Sequence, residues 1–287
     1  MKPSDFEYAA PDTLDEAIGL LAGEPDAKVL AGGQSLVPLL SLRLAAPSLL
    51  VDLRRVPGLA GVERANGEVT VGAMVRQRSA ERDHAIRDAV PLMAAALRHI
   101  AHPQVRSQGT IGGSIAHADP AAELPAVLMA LEGRVRVRGP RGERVIAADD
   151  FFTGFLSTAL AEDEIVTAIE LDAAGARTGA ACVEVAQRAG DYALCGAVAQ
   201  VTLDGDHVAG ARVALFGIGD RPLRARAVEV ALAGEPATAA AAAAAASEAG
   251  AEADPIDDPQ VPAEYRLHLA QVVARRALEQ AMEEAAA

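Results

Sequence analysis

The chain has 287 residues, a formal net charge of −14, 51% hydrophobic and 23% charged residues, which describes a globular protein able to form one large or two medium domains. Lys2 and Lys28 are its only lysines and its arginines are interleaved with acids. It therefore lacks the clustered cations that displace counterions from nucleic acid or hold an anionic membrane.

Thr13 and Glu16 have capping-box spacing, and Leu14, Ala17, Ile18 and Leu21 fall on one face of the helix that follows, with Gly23 as its stop. Residues 29–31 predict a short strand running into Gly32-Gly33-Gln34-Ser35, and an apolar segment spans 36–44. Residues 49–51 and 69–71 predict strands, the second behind an Asn66–Gly67 turn. Residues 85–100 predict helix, with a new start near Pro91. A second glycine segment runs from Gly109 to Ser114. Asp119–Pro120 then predicts a helix start, with Leu124, Val127, Leu128 and Leu131 as the buried stripe and Gly133 as the end. Residues 135–138 alternate as a half-exposed strand before a turn at Gly139–Pro140.

Residues 172–179 are small and polar and read as a linker, with a domain boundary near residue 175. Strands follow around 181–186, 197–203 and 208–216. The alanine tract from 239 to 246 is a helix by propensity, and 265–282 form an amphipathic helix through Leu267, Leu269, Val272, Val273 and Leu278. Segregated strand runs in the last third favour an α+β fold over a purely parallel sheet.

The two glycine segments carry the chemistry. A glycine pair turns tightly and exposes successive backbone N–H groups, a concave row suited to phosphate oxygens. Gln34, Ser35, Thr110 and Ser114 add side-chain donors, so two such segments can embrace a pyrophosphate without a cation. Tyr192, in the polar stretch 188–192, is placed to stack on a planar group or to sit at the edge of the core. Gly217–Ile218–Gly219 lacks the third glycine of a dinucleotide fingerprint and reads as a strand-end turn. His99, His102 and His117 read as surface or capping residues, with no metal site. Asp149–Asp150 and Asp257–Asp258 read as solvated. Cys182 and Cys195 read as buried small hydrophobes, too few to hold an iron–sulfur cluster. The start, MKPSDFEYAAP, lacks the basic flank and apolar run of a signal peptide, and no span has the length and hydropathy of a membrane helix, so a cytoplasmic location is expected. No catalytic acid, base or nucleophile is recognisable.

The run LAGGQSLVPLL from Leu30 to Leu40, with Arg43, Pro47 and Val51–Asp52 after it, resembles the first flavin loop of the molybdenum hydroxylases. VRSQGTIGGS from Val105 to Ser114, with Ala118–Asp119–Pro120, resembles the second. Phe151–Phe152, Glu164–Ile165, RAGDYA from Arg188 to Ala193 and Tyr265–Arg266 match in order. The likeness covers nearly the whole chain and is to the FAD-binding medium subunit of carbon monoxide dehydrogenase and xanthine dehydrogenase type enzymes. It implies a two-subdomain FAD-binding fold of the PCMH/vanillyl-alcohol-oxidase type in residues 1–175 (subdomains about 1–55 and 56–175). A C-terminal α+β domain of sheet and helices follows in 176–287. By the same resemblance, Ala31, Gly32, Gly33, Gln34, Ser35 and Leu36, with Thr110, Ile111, Gly112, Gly113 and Ser114, hold the pyrophosphate and ribityl groups. Ile100 matches an apolar position near the flavin, Glu123 one that contacts the adenosine part, Val166 a lining residue, and Tyr192 the aromatic beside the isoalloxazine. The sequence departs from its relatives at Glu123, often Asp there, and at Glu184, where some carry Lys.

The resemblance further implies an electron-transferring oxidoreductase subunit. [2Fe-2S] clusters and a molybdenum cofactor would lie on a small and a large partner subunit, in a dimer of heterotrimers, with the substrate and the electron acceptor left open. Two other readings stand beside it: a self-sufficient flavin-dependent reductase or oxidase of the same fold, and a non-redox phosphate-binding or scaffold module.

Overall fold

A computed structural model describes residues 1–255, 257 and 261–287. Its first part is built from β1 (Glu7–Ala9), α1 (Leu14–Gly23), β2 (Ala27–Leu30), α2 (Leu36–Leu42) and β3 (Leu49–Asp52). The three strands form a parallel sheet in the order β1-β3-β2, so each connection crosses over through a helix. Thr13 caps α1 by accepting from the Glu16 amide at 3.2 Å. The Glu16 carboxylate reaches past Thr13 to the Asp12 amide, at 3.1 Å. Ala17, Ile18 and Leu21 are buried in a cluster with Val51 and Leu53. The apolar segment after Ser35 is α2, ended by Arg43 in the left-handed region at φ 59°.

The second part contains β4 (Val62–Ala65), β5 (Glu68–Gly72), α3 (Gln77–Ala80), α4 (His84–Ala89), α5 (Pro91–Leu97), α6 (Pro103–Arg106), α7 (Ile111–His117) and α8 (Glu123–Ala130). It continues through β6 (Arg134–Gly139), β7 (Gly142–Ala147), α9 (Ala148–Phe151), β8 (Phe152–Gly154), β9 (Ser157–Thr158) and β10 (Ile165–Asp172). Five strands make a sheet in the order β4-β5-β10-β6-β7. Asn66 and Gly67, at φ 52° and 81°, join β4 to β5 in the turn that such a dipeptide favours. β10 lies at the centre and is buried along all but its last residue. Its Glu170 carboxylate pairs with Arg134 and Arg136 on β6.

Two expectations need correcting here. Asp119–Pro120 does not start the helix: Asp119 Oδ1 accepts from the Ala121 amide at 2.9 Å, closing a local turn of the kind Asp side chains form, and α8 begins at Glu123. The second glycine segment is also not a loop. Thr110 accepts from the Gly113 amide as N-cap, and residues from Ile111 onward are helical.

The last part is an antiparallel sheet of β11 (Thr178–Ala186), β12 (Ala193–Asp204), β13 (His207–Phe216) and β14 (Leu223–Arg224), followed by α10 (Arg226–Leu232), α11 (Ala239–Ala246) and α12 (Ala263–Ala286). Strand alternation gives the sheet two apolar faces. Cys182, Val198, Ala214 and Phe216 join the core that includes α5 and α8. Cys195, Ala197, Ala199 and Leu215 join the core that includes α12. The two thiols are free and buried on opposite faces. Of the paired aspartates, Asp149 bonds Arg226 at 2.7 Å and Asp257 accepts from the Ala263 amide at 2.6 Å, so neither is merely solvated; Asp258 lies outside the described residues. Among the described residues no helix is long and apolar enough to cross a membrane.

Candidate cofactor-binding site

The three parts meet around a cavity of about 800 Å³, within the size range of small-molecule and cofactor sites. Its wall takes in the 31–36 segment, residues at the start of α7 and α8, the turn between β8 and β9, and 190–192. The residues singled out from the sequence converge on it from six separate stretches: Ala31 to Leu36, Ile100, Thr110 with Gly112 to Ser114, Glu123, Val166 and Tyr192 all line it. Ile111 does not. As the first residue of α7 it turns inward and is 0% exposed in the core.

The glycine segments lie against each other but play different parts. A Cβ on Gly32 would stand 2.8 Å from the Gly109 Cα and press on the Gln108 carbonyl, so the two backbones touch. Gly33 holds φ 72°, the left-handed conformation that turns the chain from β2 into α2. Among the described residues nothing accepts a hydrogen bond from the amides of Gly32, Gly33, Gln34, Ser35 and Leu36. Unused main-chain donors in a turn form an anion-binding concavity. The amides of 111–114 are instead consumed by the fold. Ile111 donates to the Val75 carbonyl at 3.0 Å, Gly112 to that of Ala73 at 2.8 Å, Gly113 to Thr110 Oγ1 at 3.1 Å and Ser114 to the Thr110 carbonyl at 3.2 Å. By sequence the two segments have equal standing as cradles; among the described residues only the first keeps a continuous run of free amides, the second keeping that of Thr110 alone.

Gln77 Oε1, buried on the same wall, has no hydrogen-bond partner among the described residues. Buried amide oxygens are almost always paired, so this one suits a bound polar group. Gln77, Lys28 and the Leu156–Thr158 turn are wall residues that sequence reading passed over, and His117, read there as a surface or capping residue, joins them on the wall. None carries a local motif, and they reach the cavity only through the fold.

Charge on the wall is mostly acidic. Asp119, Glu123, Glu162 and Asp191 line it with Lys28, and no arginine does among the described residues. Glu164 is neutralised by Arg144, at 2.7 Å, which holds its carboxyl below the usual range. The Glu123 carboxyl is pushed up from 4.5 to about 7, chiefly by burial, with the Glu184 and Asp119 charges adding to it and His99 and a backbone hydrogen bond opposing. Burial lowers His117. His99 is raised by its hydrogen bond to Glu184, against burial. His99 and His117 are thus half-buried rather than on the surface, and among the described residues no three metal-ligating side chains come together.

The Tyr192 ring is exposed, while crowding around its hydroxyl raises it above the usual tyrosine value, with the Asp119 charge adding to this and Ser35 opposing it. It stands on the wall together with the first glycine segment. Gly190, at φ 88°, fits against the His102 ring, where a Cβ would come within 2.7 Å of Nδ1. Replacing Tyr192 with alanine removes an exposed wall ring on which a planar ligand could stack, a contact worth about 1 kcal/mol. For the flavin that the sequence resemblance implies, the expected result is a shifted absorption spectrum and a several-fold weaker affinity, read by titration.

Residues 4–172 match the family described as FAD binding domain in molybdopterin dehydrogenase, and residues 180–281 match the CO dehydrogenase flavoprotein C-terminal domain. The chain is 41% identical to the nicotine 6-hydroxylase medium subunit of Paenarthrobacter nicotinovorans, over 98% of this chain and 99% of that one. It is 37% identical to the carbon monoxide dehydrogenase medium chain of Hydrogenophaga pseudoflava, over 97% of each. A solved structure of carbon monoxide dehydrogenase from H. pseudoflava, in a form lacking the Mo-pyranopterin moiety, superposes with a TM-score of 0.95 at 39% identity over 99% of both chains. Quinoline 2-oxidoreductase from Pseudomonas putida 86 superposes equally well, at 37% identity and 99% coverage of both. Free amide donors, a wall open on a cofactor-sized cavity and both family matches agree, and the chain belongs to the FAD-binding medium subunits of the molybdenum hydroxylases.

Proposed function

We propose that this chain holds one noncovalent FAD in the cavity and relays electrons from the [2Fe-2S] clusters of a small partner subunit to an external acceptor. Substrate would be oxidised on a large molybdenum subunit, in a cytoplasmic dimer of heterotrimers. The observation that carries this reading is the row of five amides from Gly32 to Leu36, unused among the described residues, on the wall of a cavity lined from all three parts of the fold. These donors suit the diphosphate, with Ser35 and Ser114 beside them. Glu123 suits the adenosine end. Ile100, Val166 and the Tyr192 ring give apolar surface for the isoalloxazine. Bound FAD supplies the ability to accept electrons singly and release them in pairs, and the protein's part is orientation, stacking and local charge.

Relatives of 35–41% identity are named for carbon monoxide, nicotine and caffeine. A shared chain behind such unlike molecules supports a common electron path and places substrate choice on another subunit. Residues 1–175 would form the FAD-binding domain and 176–287 the C-terminal domain.

The test is purification of the complex with iron, molybdenum and flavin analysis of each chain. The expected result is equimolar flavin on this chain, metals on the others, and flavin reduction by substrate only when all are present. An isolated chain that turns over an organic substrate, or one that retains no flavin, would contradict the reading.

A further inference from the structure

Gln77 is the first residue of α3, and both of its main-chain polar groups are committed. Its amide donates to the Gly109 carbonyl and its carbonyl accepts from the Glu81 amide, each at 2.9 Å. The residue is only 5% exposed, yet it stands on the cavity wall. Its side-chain amide lies against Gly109, where a Cβ would press on Oε1 and come within 2.9 Å of Cδ. Glycine at 109 thus gives the amide its room. Gly109 in turn touches Gly32, which begins the row of free amides. Gly32, Gly109 and Gln77 therefore form one line of contact from the anion-binding concavity into the wall.

The fold makes no use of this polar group. Oε1 is buried without a hydrogen-bond partner, and the amide nitrogen bonds no described residue either. Leaving a buried acceptor unpaired is unfavourable, and an apolar side chain of similar volume would fill the space without that cost. The diphosphate of FAD does not answer Oε1, because its oxygens accept and do not donate at neutral pH. The groups bonded next to it carry hydroxyls, which do both. A hydroxyl suits the amide in either orientation, since the amide can turn about its last bond to present oxygen or nitrogen. Packing indicates which side of the diphosphate is meant. α3 packs on α5 and α6, and Ile100 between those helices and Val105 on α6 line the same wall. That is the end read above as the flavin end, whereas Glu123 marks the adenosine end. The chain between diphosphate and flavin ring is the ribityl group.

We infer that Gln77 is a cofactor-binding residue whose side-chain amide holds a ribityl hydroxyl of FAD. The inference rests on the FAD reading given above and adds to it a contact on the flavin side of the diphosphate. Gln77→Leu keeps the volume of the side chain and removes the hydrogen-bonding group. Its flavin-free form loses no bond within the fold, so its effect falls on the bound state.

The experiment is titration of the flavin-free full chain, followed by flavin fluorescence, with FAD, with analogues of FAD each lacking one ribityl hydroxyl, and with an analogue carrying deoxyadenosine. The unsubstituted chain should bind one of the ribityl analogues about tenfold more weakly than FAD. Gln77→Leu should bind FAD itself about tenfold more weakly, and for this variant the penalty for the missing ribityl hydroxyl should vanish. Any penalty for the adenosine hydroxyl should be the same in both chains. An unsubstituted chain that binds every ribityl analogue as tightly as FAD overturns the inference while leaving the FAD reading intact. A ribityl penalty that persists undiminished in Gln77→Leu overturns it as well, and so does a variant that loses the adenosine penalty instead. A chain that binds no FAD overturns both. The analogue comparison on the unsubstituted chain needs no variant, and Gln77→Met repeats the second arm should Gln77→Leu fail to fold.

Discussion

Gly32→Val is expected to abolish flavin retention and to destabilise the chain by about 3 kcal/mol. A Cβ at this position meets only backbone, the Gln108 carbonyl and the Gly109 Cα at 2.8 Å, and backbone cannot swing aside as a side chain can. The two glycine segments must separate, which also moves the free amides of 32–36. Gly33→Val acts differently. The strain comes from φ 72°, about 1–2 kcal/mol for an L-residue, while the nearest atoms are the flexible ends of Val37 and Leu30, at 3.2 and 3.4 Å. Its effect on stability should be the smaller of the two. Gly19→Ala, in the interior of α1 with nothing within 4 Å of the new Cβ, serves as a control and should stabilise by about 0.5–1 kcal/mol. Thermal unfolding and the flavin-to-protein ratio of the purified variants measure all three.

Phe151→Ala is expected to destabilise by about 3–5 kcal/mol, the range for emptying a packed aromatic site. Phe151 is 0% exposed and meets Phe152 edge-to-face, with ring centroids 5.1 Å apart. The pair anchors the β8–β9 hairpin, whose Leu156, Ser157 and Thr158 form part of the cavity wall, and the Phe151 carbonyl accepts from the Ala159 amide at 2.9 Å. The loss should lower the unfolding temperature by roughly 10 °C. It should also loosen flavin binding, because the hairpin loses its seat although no cavity residue is changed. Unaltered unfolding temperature would contradict this account of the hairpin.

Where local chemistry dictates structure, the sequence was readable. Asn66–Gly67 demands its hairpin, Pro91 begins α5 as a first-turn proline, and the alternation of 135–138 matches the burial of β6. Tyr192 and the first glycine segment stood out by residue type, and both line the cavity. What remained hidden depends on partners distant in sequence. β10 was not evident because Thr167 and Glu170 interrupt its apolar run; both are buried only because Arg134 and Arg136 of β6 supply their partners. The amides of 111–114 look identical in sequence to those of 32–36. Only the approach of the 73–75 backbone uses up the first two of them. His99 and Glu184 meet because α5 packs on β11, a contact no periodicity announces. The Asp119–Pro120 start signal lost to a turn in which Asp119 satisfies Ala121 before α8 begins.

The central claim is that the diphosphate of FAD sits on the amides from Gly32 to Leu36. A high-resolution structure of the flavin-saturated complex tests it most directly. The expected map places diphosphate oxygens within hydrogen-bond distance of those amides, with the adenosine toward Glu123 and the ring system beside Tyr192. A diphosphate lodged elsewhere, with the 32–36 amides facing only water, would contradict it.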